Sequence, residues 1–221
     1  LRRRLRRRDL AASHRPDLYI AISEAVRERI RAFYGRDSVV VHPPVDVDDL
    51  DPGREKEPGR FLWVNRLVSY KRPELVAEAF RGLPYRLTMV GIGPLEARLR
   101  STLPPNVELR GWTSRQELAA LYERASGFVH VGEEDFGIAM VEALAAGTPV
   151  VALGRGGARD IVRDRLDGIL VEDAELEALR RALRDVAEGS WDSCRLAERA
   201  QSFSRARFVQ RLTGELEPLL A

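Results

Sequence analysis

From Phe61 to Glu188 the chain alternates short apolar runs with segments of helical spacing, and no other feature restricts its fold as much. The strand-type runs are FLWVNR, YRLTMVG, VELRG, GFVHVG, TPVVAL and GILVED. Between them lie PELVAEAFRGL, PLEARLRSTL, SRQELAALYERA, the segment around Glu142 and ARDIVRD, and ELEALRRALRDVAEG follows the last strand. Strands that each wait for a helix before the next strand pair in parallel, and a parallel sheet needs helices on both faces. The expected fold is α/β, a Rossmann-like doubly wound parallel sheet. A length of 221 residues with 44% hydrophobic residues supports one sizeable core, or one domain plus a fragment of another.

Outside the alternation the pattern is less regular. The chain opens with LRRRLRRRDL at Leu1 rather than Met, which reads as the interior of a helix and suggests a fragment. Helical spacing over 1–14 is followed by the strand-type run DLYIAIS. Ser23 and Glu24 then open an amphipathic helix that Gly35 closes. SVVVHPPVDVDDL carries Pro43 and Pro44 and reads as an inter-domain crossing, continued by the polar linker DPGREKEPG. These breaks divide the chain into 1–37, a crossing and linker at 38–59, the alternating domain at 60–195, and a helical segment at 196–221 with Phe203, Phe208 and Leu212 on one face. The lone cysteine, Cys194, has no disulfide or metal partner at suitable spacing, so a reducing cytoplasm and a structural thiol on a surface helix are expected.

In such sheets ligands sit at the C-terminal ends of the strands, which selects five loops: 65–71, 91–94, 110–114, 132–137 and 154–158. The first, NRLVSYKR, gathers Arg66, Lys71 and Arg72. Lysine occurs only at 56 and 71, so 36 − 2 = 34 of the basic residues are arginine, and a compact ammonium for a phosphate oxygen is one reason to keep Lys71. A solvated helix start explains the loop equally well. Gly91 and Gly93, followed by Pro94, either let backbone approach a ligand or make a tight turn. Gly154, Gly156 and Gly157 offer the same two readings.

The loop GEEDFGIAMVE holds the least expected residue. Glu142 lies inside an otherwise apolar run, about one turn past Ile138 and on the same face as the helix's first turn. Burying it unpaired would cost several kcal/mol. Unpaired N–H groups around Phe136, Gly137 and Ile138 suit a diphosphate, and the vicinal hydroxyls of a ribose would satisfy both oxygens of Glu142. Glu134, nearer the loop tip, could serve sugar hydroxyls beyond the phosphates. A salt bridge to one of the arginines is the alternative for Glu142. Glu133 and Asp135 read as solvent-facing charges at a helix N-terminus.

Taken in order, NRLVSYK, VGIGP, the two glutamates of EDFGIAMVE with seven residues between them, EALAAGTPVVA and GRGG carry a resemblance. From about Ser38 to Leu212 the chain resembles the C-terminal, nucleotide-sugar-binding domain of retaining GT-B glycosyltransferases of family 4, a group that includes mannosyltransferases. The resemblance implies that Arg66 and Lys71 bind the donor diphosphate, that Glu134 contacts the transferred sugar at the reaction centre, and that Glu142 holds the ribose. Backbone at Phe136 to Ile138 would assist, with Gly91 and Gly93 lining the cleft and the base near Arg110 to Trp112. It implies a retaining transfer to a glycan, lipid-linked or small-molecule acceptor with no cofactor and no essential metal. GEEDFG is similar to mannosyltransferases that use GDP-mannose, which favours that donor. Asn65 stands where a glycine often precedes the arginine, and Asp160 where the glycine-rich loop often leads to glutamate. Residues 1–37 would be the tail end of an otherwise missing N-terminal acceptor domain, to which the helix at 196–221 would return with Phe203 and Phe208 exposed.

Two readings compete with catalysis by a transferase: a GT-B relative such as a sugar-nucleotide epimerase or phosphorylase, and a non-catalytic nucleotide-binding module. A phosphorylase would carry a cofactor lysine, and the scarcity of lysine argues against it. RRRLRRR reads either as a solvated helix face or as a surface for an anionic membrane, which would give a peripheral place at its inner face; loss of vesicle binding on replacing those arginines would separate the two. No aromatic is interleaved with them, so nucleic acid is not expected as a partner. The net charge of +2 implies no polyelectrolyte partner.

Overall fold

The computed structural model describes residues 2–220. It begins with α1 (Arg2–Ala12), β1 (Ile20–Ala21), α2 (Glu24–Tyr34) and β2 (Val39–Val40). Every residue from Arg2 to Leu10 is exposed. β1 and β2 form a small parallel pair. The Ser23 hydroxyl accepts from the Val26 amide to cap α2, and Gly35 ends it in the left-handed region at φ 62°.

The alternating region forms β3 (Glu57–Val64), α3 (Pro73–Ala79), β4 (Arg86–Val90), α4 (Glu96–Arg100), β5 (Val107–Gly111), α5 (Arg115–Arg124), β6 (Ala125–His130), α6 (Ile138–Ala145), β7 (Val150–Leu153), α7 (Ala158–Ile161), β8 (Gly168–Val171) and α8 (Leu176–Glu188). All six strands are parallel in one sheet ordered β5-β4-β3-β6-β7-β8, as the alternation requires. Strand side chains divide by parity. Phe61, Trp63, Val129 and Val151 pack with Val76, Phe80, Leu179 and Leu183 of α3 and α8 on one face. Leu62, Phe128, Val150 and Ala152 pack with Tyr122, Met140, Leu144 and Leu196 on the other. Because both faces are covered, the strands read as continuous apolar runs rather than alternating ones.

The chain ends with α9 (Ser193–Gln201) and α10 (Arg205–Leu220), and here the structure departs from the expectation of one continuous helix. The Asp192 carboxylate caps α9, whose Leu196 and Ala200 enter the core against α6. The chain then turns, and the Val45 amide donates to the Phe203 carbonyl at 2.9 Å. Phe203 is only 2% exposed, packed against Phe136 and His42 at 5.6 and 5.2 Å between ring centroids. The expected exposed Phe203 face is thus corrected: burying a phenyl ring outweighs the hydrogen bonds lost at the helix break. Phe208 is half-buried. The crossing also belongs to the core, since Val45 and Val47 are buried in it and β3 begins at Glu57. Among the described residues no helix is long and apolar enough to cross a membrane.

Candidate functional site

From β3 the chain builds outward through β4 and β5, then crosses to the other side of β3 for β6, β7 and β8. The strand order therefore reverses between β3 and β6, and the crevice beyond their C-terminal ends is the ligand position this topology creates. The loops 65–71 and 131–137 leave those two strand ends. A Cβ on Gly132 would stand 3.2 Å from both Cα and Cδ of Lys71, so the loops are packed against each other.

Lys71 is 6% exposed, and its ammonium touches the Glu134 carboxylate while lying 4.7 Å from the Tyr70 ring centre. Burial pulls the Lys71 pKa down to about 8, with the charge of Asp135 opposing. Arg66 is exposed at the start of the same loop. Gly91 serves loop packing: its φ is +146°, and a Cβ would fall 1.8 Å from the Asn65 carbonyl oxygen. Gly93 likewise presses on the Leu67 backbone. These two glycines let the β4 loop pack directly onto the backbone of the β3 loop.

Beneath Glu134 lies His130, a residue that the sequence reading passed over. It is 1% exposed, and its Nδ1 is 3.2 Å from the Asn65 side-chain nitrogen. That amide nitrogen can only donate, so Nδ1 accepts and the ring proton sits on Nε2. Nε2 is 3.3 Å from Glu134 Oε1 but out of hydrogen-bonding line, and among the described residues it has no hydrogen-bond partner. Burial, joined by the Lys71 charge and opposed by the Gly132 backbone, pulls the His130 pKa down to about 3, so the ring is neutral. Its histidine–asparagine contact bridges β6 and β3, and only the strand order reveals it.

Glu142, half-buried, meets a tyrosine rather than the arginine of one sequence reading. The Tyr122 hydroxyl of α5 donates to its Oε2 at 2.9 Å, leaving Oε1 available. Burial raises the Glu142 pKa, against the hydrogen bond from Tyr122 and the charge of Arg115. Burial also raises that of Tyr122 well above the usual phenol value, so the phenol remains a donor. Phe136 is a core side chain, leaving only its backbone for a ligand, whereas Ile138 is 48% exposed at the start of α6. Gly137 adopts φ 113° there. The glycine-rich loop supports this turn from below: the Gly157 amide donates to the Glu134 carbonyl at 2.9 Å.

Arg110 pairs with Glu108 at 3.0 Å, and Trp112 is 77% exposed at the end of β5. Glu133 and Asp135 are exposed as read from the sequence, but Asp135 also pairs with Arg29 of α2 at 2.5 Å. That pair closes one end of a cleft of about 560 Å³ between α2 and the Glu134 loop. Asp160 links the same parts, accepting from the Glu24 amide and meeting His42 Nε2, both at 2.9 Å. Lys56, the other lysine, is structural: its ammonium donates to the carbonyls of Glu123 and Ala146 at 2.8 and 2.5 Å and to Thr148 Oγ1 at 3.0 Å. Among the described residues no three of His, Cys, Asp and Glu are grouped to hold a metal ion.

A family described as Glycosyl transferases group 1 matches residues 47–205. The chain belongs to that family. It is 35% identical over 144 residues to a GDP-mannose-dependent alpha-mannosyltransferase of Mycobacterium tuberculosis, covering 60% of this chain and 38% of that protein. It is 31% identical over 182 residues to a D-inositol 3-phosphate glycosyltransferase of a Mycobacterium species, covering 71% and 41%. The chain therefore spans about two fifths of these curated relatives. Among solved structures, the lipopolysaccharide outer core galactosyltransferase WaaB superposes with a TM-score of 0.80 at 21% identity, covering 91% of this chain and 62% of that one. Anabaena HepE in complex with UDP and glucose superposes with a TM-score of 0.79 at 20% identity, covering 96% and 66%. The fold is that of the matched part of GT-B glycosyltransferases.

Proposed function

We propose that this chain is the donor-binding part of a retaining hexosyltransferase that takes a nucleoside-diphosphate sugar, with GDP-mannose as the favoured donor. The observation that carries the reading is the meeting of Lys71 and Glu134 from adjacent loops at the strand-order reversal, with Glu142 half-buried about one turn into α6. Lys71 and Arg66 are the cations for the leaving diphosphate, a charge-neutralising role that requires no metal. Glu134 positions the transferred sugar. Glu142 keeps Oε2 on Tyr122 and offers Oε1 to the ribose, so one ribose hydroxyl is held where the sequence reading had two. The exposed Trp112 lies where the base is expected. The mannosyltransferase relative and the GEEDFG loop support mannose.

Calorimetric titration of the chain with GDP, UDP and ADP tests the reading. One of them is expected to bind, and Lys71→Ala or Glu142→Ala to weaken it tenfold or more, the effect of losing one charge-assisted contact. Unaltered affinity in both variants would refute the site.

A further inference from the structure

Glu134 Oε1 has two neighbours of different character. One is the Lys71 ammonium, which touches it; the other is His130 Nε2, 3.3 Å away and without a hydrogen-bond partner. A buried N–H with no acceptor pays its full desolvation penalty, and such a group in a folded protein calls for an explanation. His130 is held against turning over, because Asn65, just past the end of β3, holds Nδ1 and Phe128 stacks with its ring centre 6.5 Å away.

On the donor-binding reading above, a diphosphate draws on the same Lys71. Two or three phosphate charges compete for the ammonium with the single charge of Glu134, and the phosphate wins by simple electrostatics. Once Lys71 turns away, Glu134 is a largely buried carboxylate with its main partner gone. We propose that His130 is a positioning residue which then takes over Glu134: its Nε2–H, aimed by Asn65, anchors Oε1 and leaves Oε2 facing the transferred sugar. The free site is thus held closed by its own ion pair, and donor binding exchanges one partner of Glu134 for another. A neutral imidazole suits this task because it fixes the carboxylate without adding a cation that would compete for the diphosphate.

The exchange can be read without any donor. In a chain labelled with ¹⁵N-histidine, His130 is expected to carry its proton on Nε2 and to show no titration between pH 5 and 8. Lys71→Met imitates the withdrawal of the ammonium, and should move the Nε2–H resonance downfield as the bond to Glu134 forms; adding Glu134→Gln should reverse much of that movement. A proton on Nδ1, or an Nε2–H resonance indifferent to Lys71→Met, overturns the proposal. A second measurement uses GDP and GDP-mannose. His130→Phe should weaken GDP and GDP-mannose alike by about tenfold, because either diphosphate draws Lys71 off Glu134, with His130→Gln, which keeps an N–H at similar reach, recovering most of it. Unchanged affinity for both ligands, or a loss that His130→Gln does not restore, would mean a merely structural histidine. If neither ligand binds the unaltered chain, the donor reading fails, and the resonance of Nε2–H still decides the role of His130.

Discussion

Raising the pH from 7 to 9 is expected to weaken binding of a nucleoside diphosphate about tenfold, and the reason is the burial of Lys71. With its pKa pulled down to about 8, the ammonium is roughly nine-tenths charged at pH 7 and about one-tenth charged at pH 9. If only the charged form grips phosphate, affinity falls by the ratio of those fractions. A lysine near 10.5 would lose almost nothing over the same interval. The assay is calorimetric titration at half-unit steps of pH, run in parallel on Lys71→Ala. Subtracting the variant removes titration of the ligand and of Lys56, which burial also pulls down to about 8. Fold stability should respond with the opposite sign. The unfolded lysine titrates near 10.5 and the folded one near 8, so between these values the unfolded chain binds more protons, and Lys71's contribution to stability increases with pH. Affinity that is flat to pH 9, or an equal slope in Lys71→Ala, would refute the assignment of Lys71 to the diphosphate.

Two further outcomes follow from the paired groups. Lys56→Met leaves two carbonyls and the Thr148 hydroxyl without their shared donor, and should destabilise the fold by about 2–3 kcal/mol in urea unfolding while leaving nucleotide affinity within twofold; a change under about 0.5 kcal/mol would show those contacts to be idle. Tyr122→Phe removes the donor to Glu142 Oε2 and should cost about 1–2 kcal/mol at pH 7. Because Glu142 already titrates above its unfolded value, its contribution to stability falls as pH rises through that interval, and Tyr122→Phe should make the fall steeper. The same slope in both proteins would mean that the phenol does not govern this carboxylate.

Part of the site was legible in the chain. Lys71 and Glu134 could be placed at the same end of the sheet because a parallel sheet puts every strand-to-helix loop there, and Glu142 stood out as a charge in an apolar run. The partners were not legible. Tyr122 looks like any aromatic on a helix, and its bond to Glu142 joins α5 to α6; His130 reads as one more residue in a buried strand until β6 is set beside β3. Gly91 and Gly93 admitted two sequence readings, ligand approach or a turn, and the close packing of the β4 loop on the β3 loop that they permit was in neither.

The sequence by itself determined the layers: periodicity records which faces of each element lose water, and six strand-type runs with helices between them leave a covered parallel sheet as the economical burial. Tertiary structure alone decided which polar groups meet. Lys71 with Glu134, Asn65 with His130, and Asp135 with Arg29 lie 63, 65 and 106 positions apart. No periodicity carries that information, because such contacts arise only from strand order and from where each loop comes to rest. The same holds for Phe203, whose helical spacing suggested an exposed stripe until the pocket formed by Phe136 and His42 broke the helix to bury it.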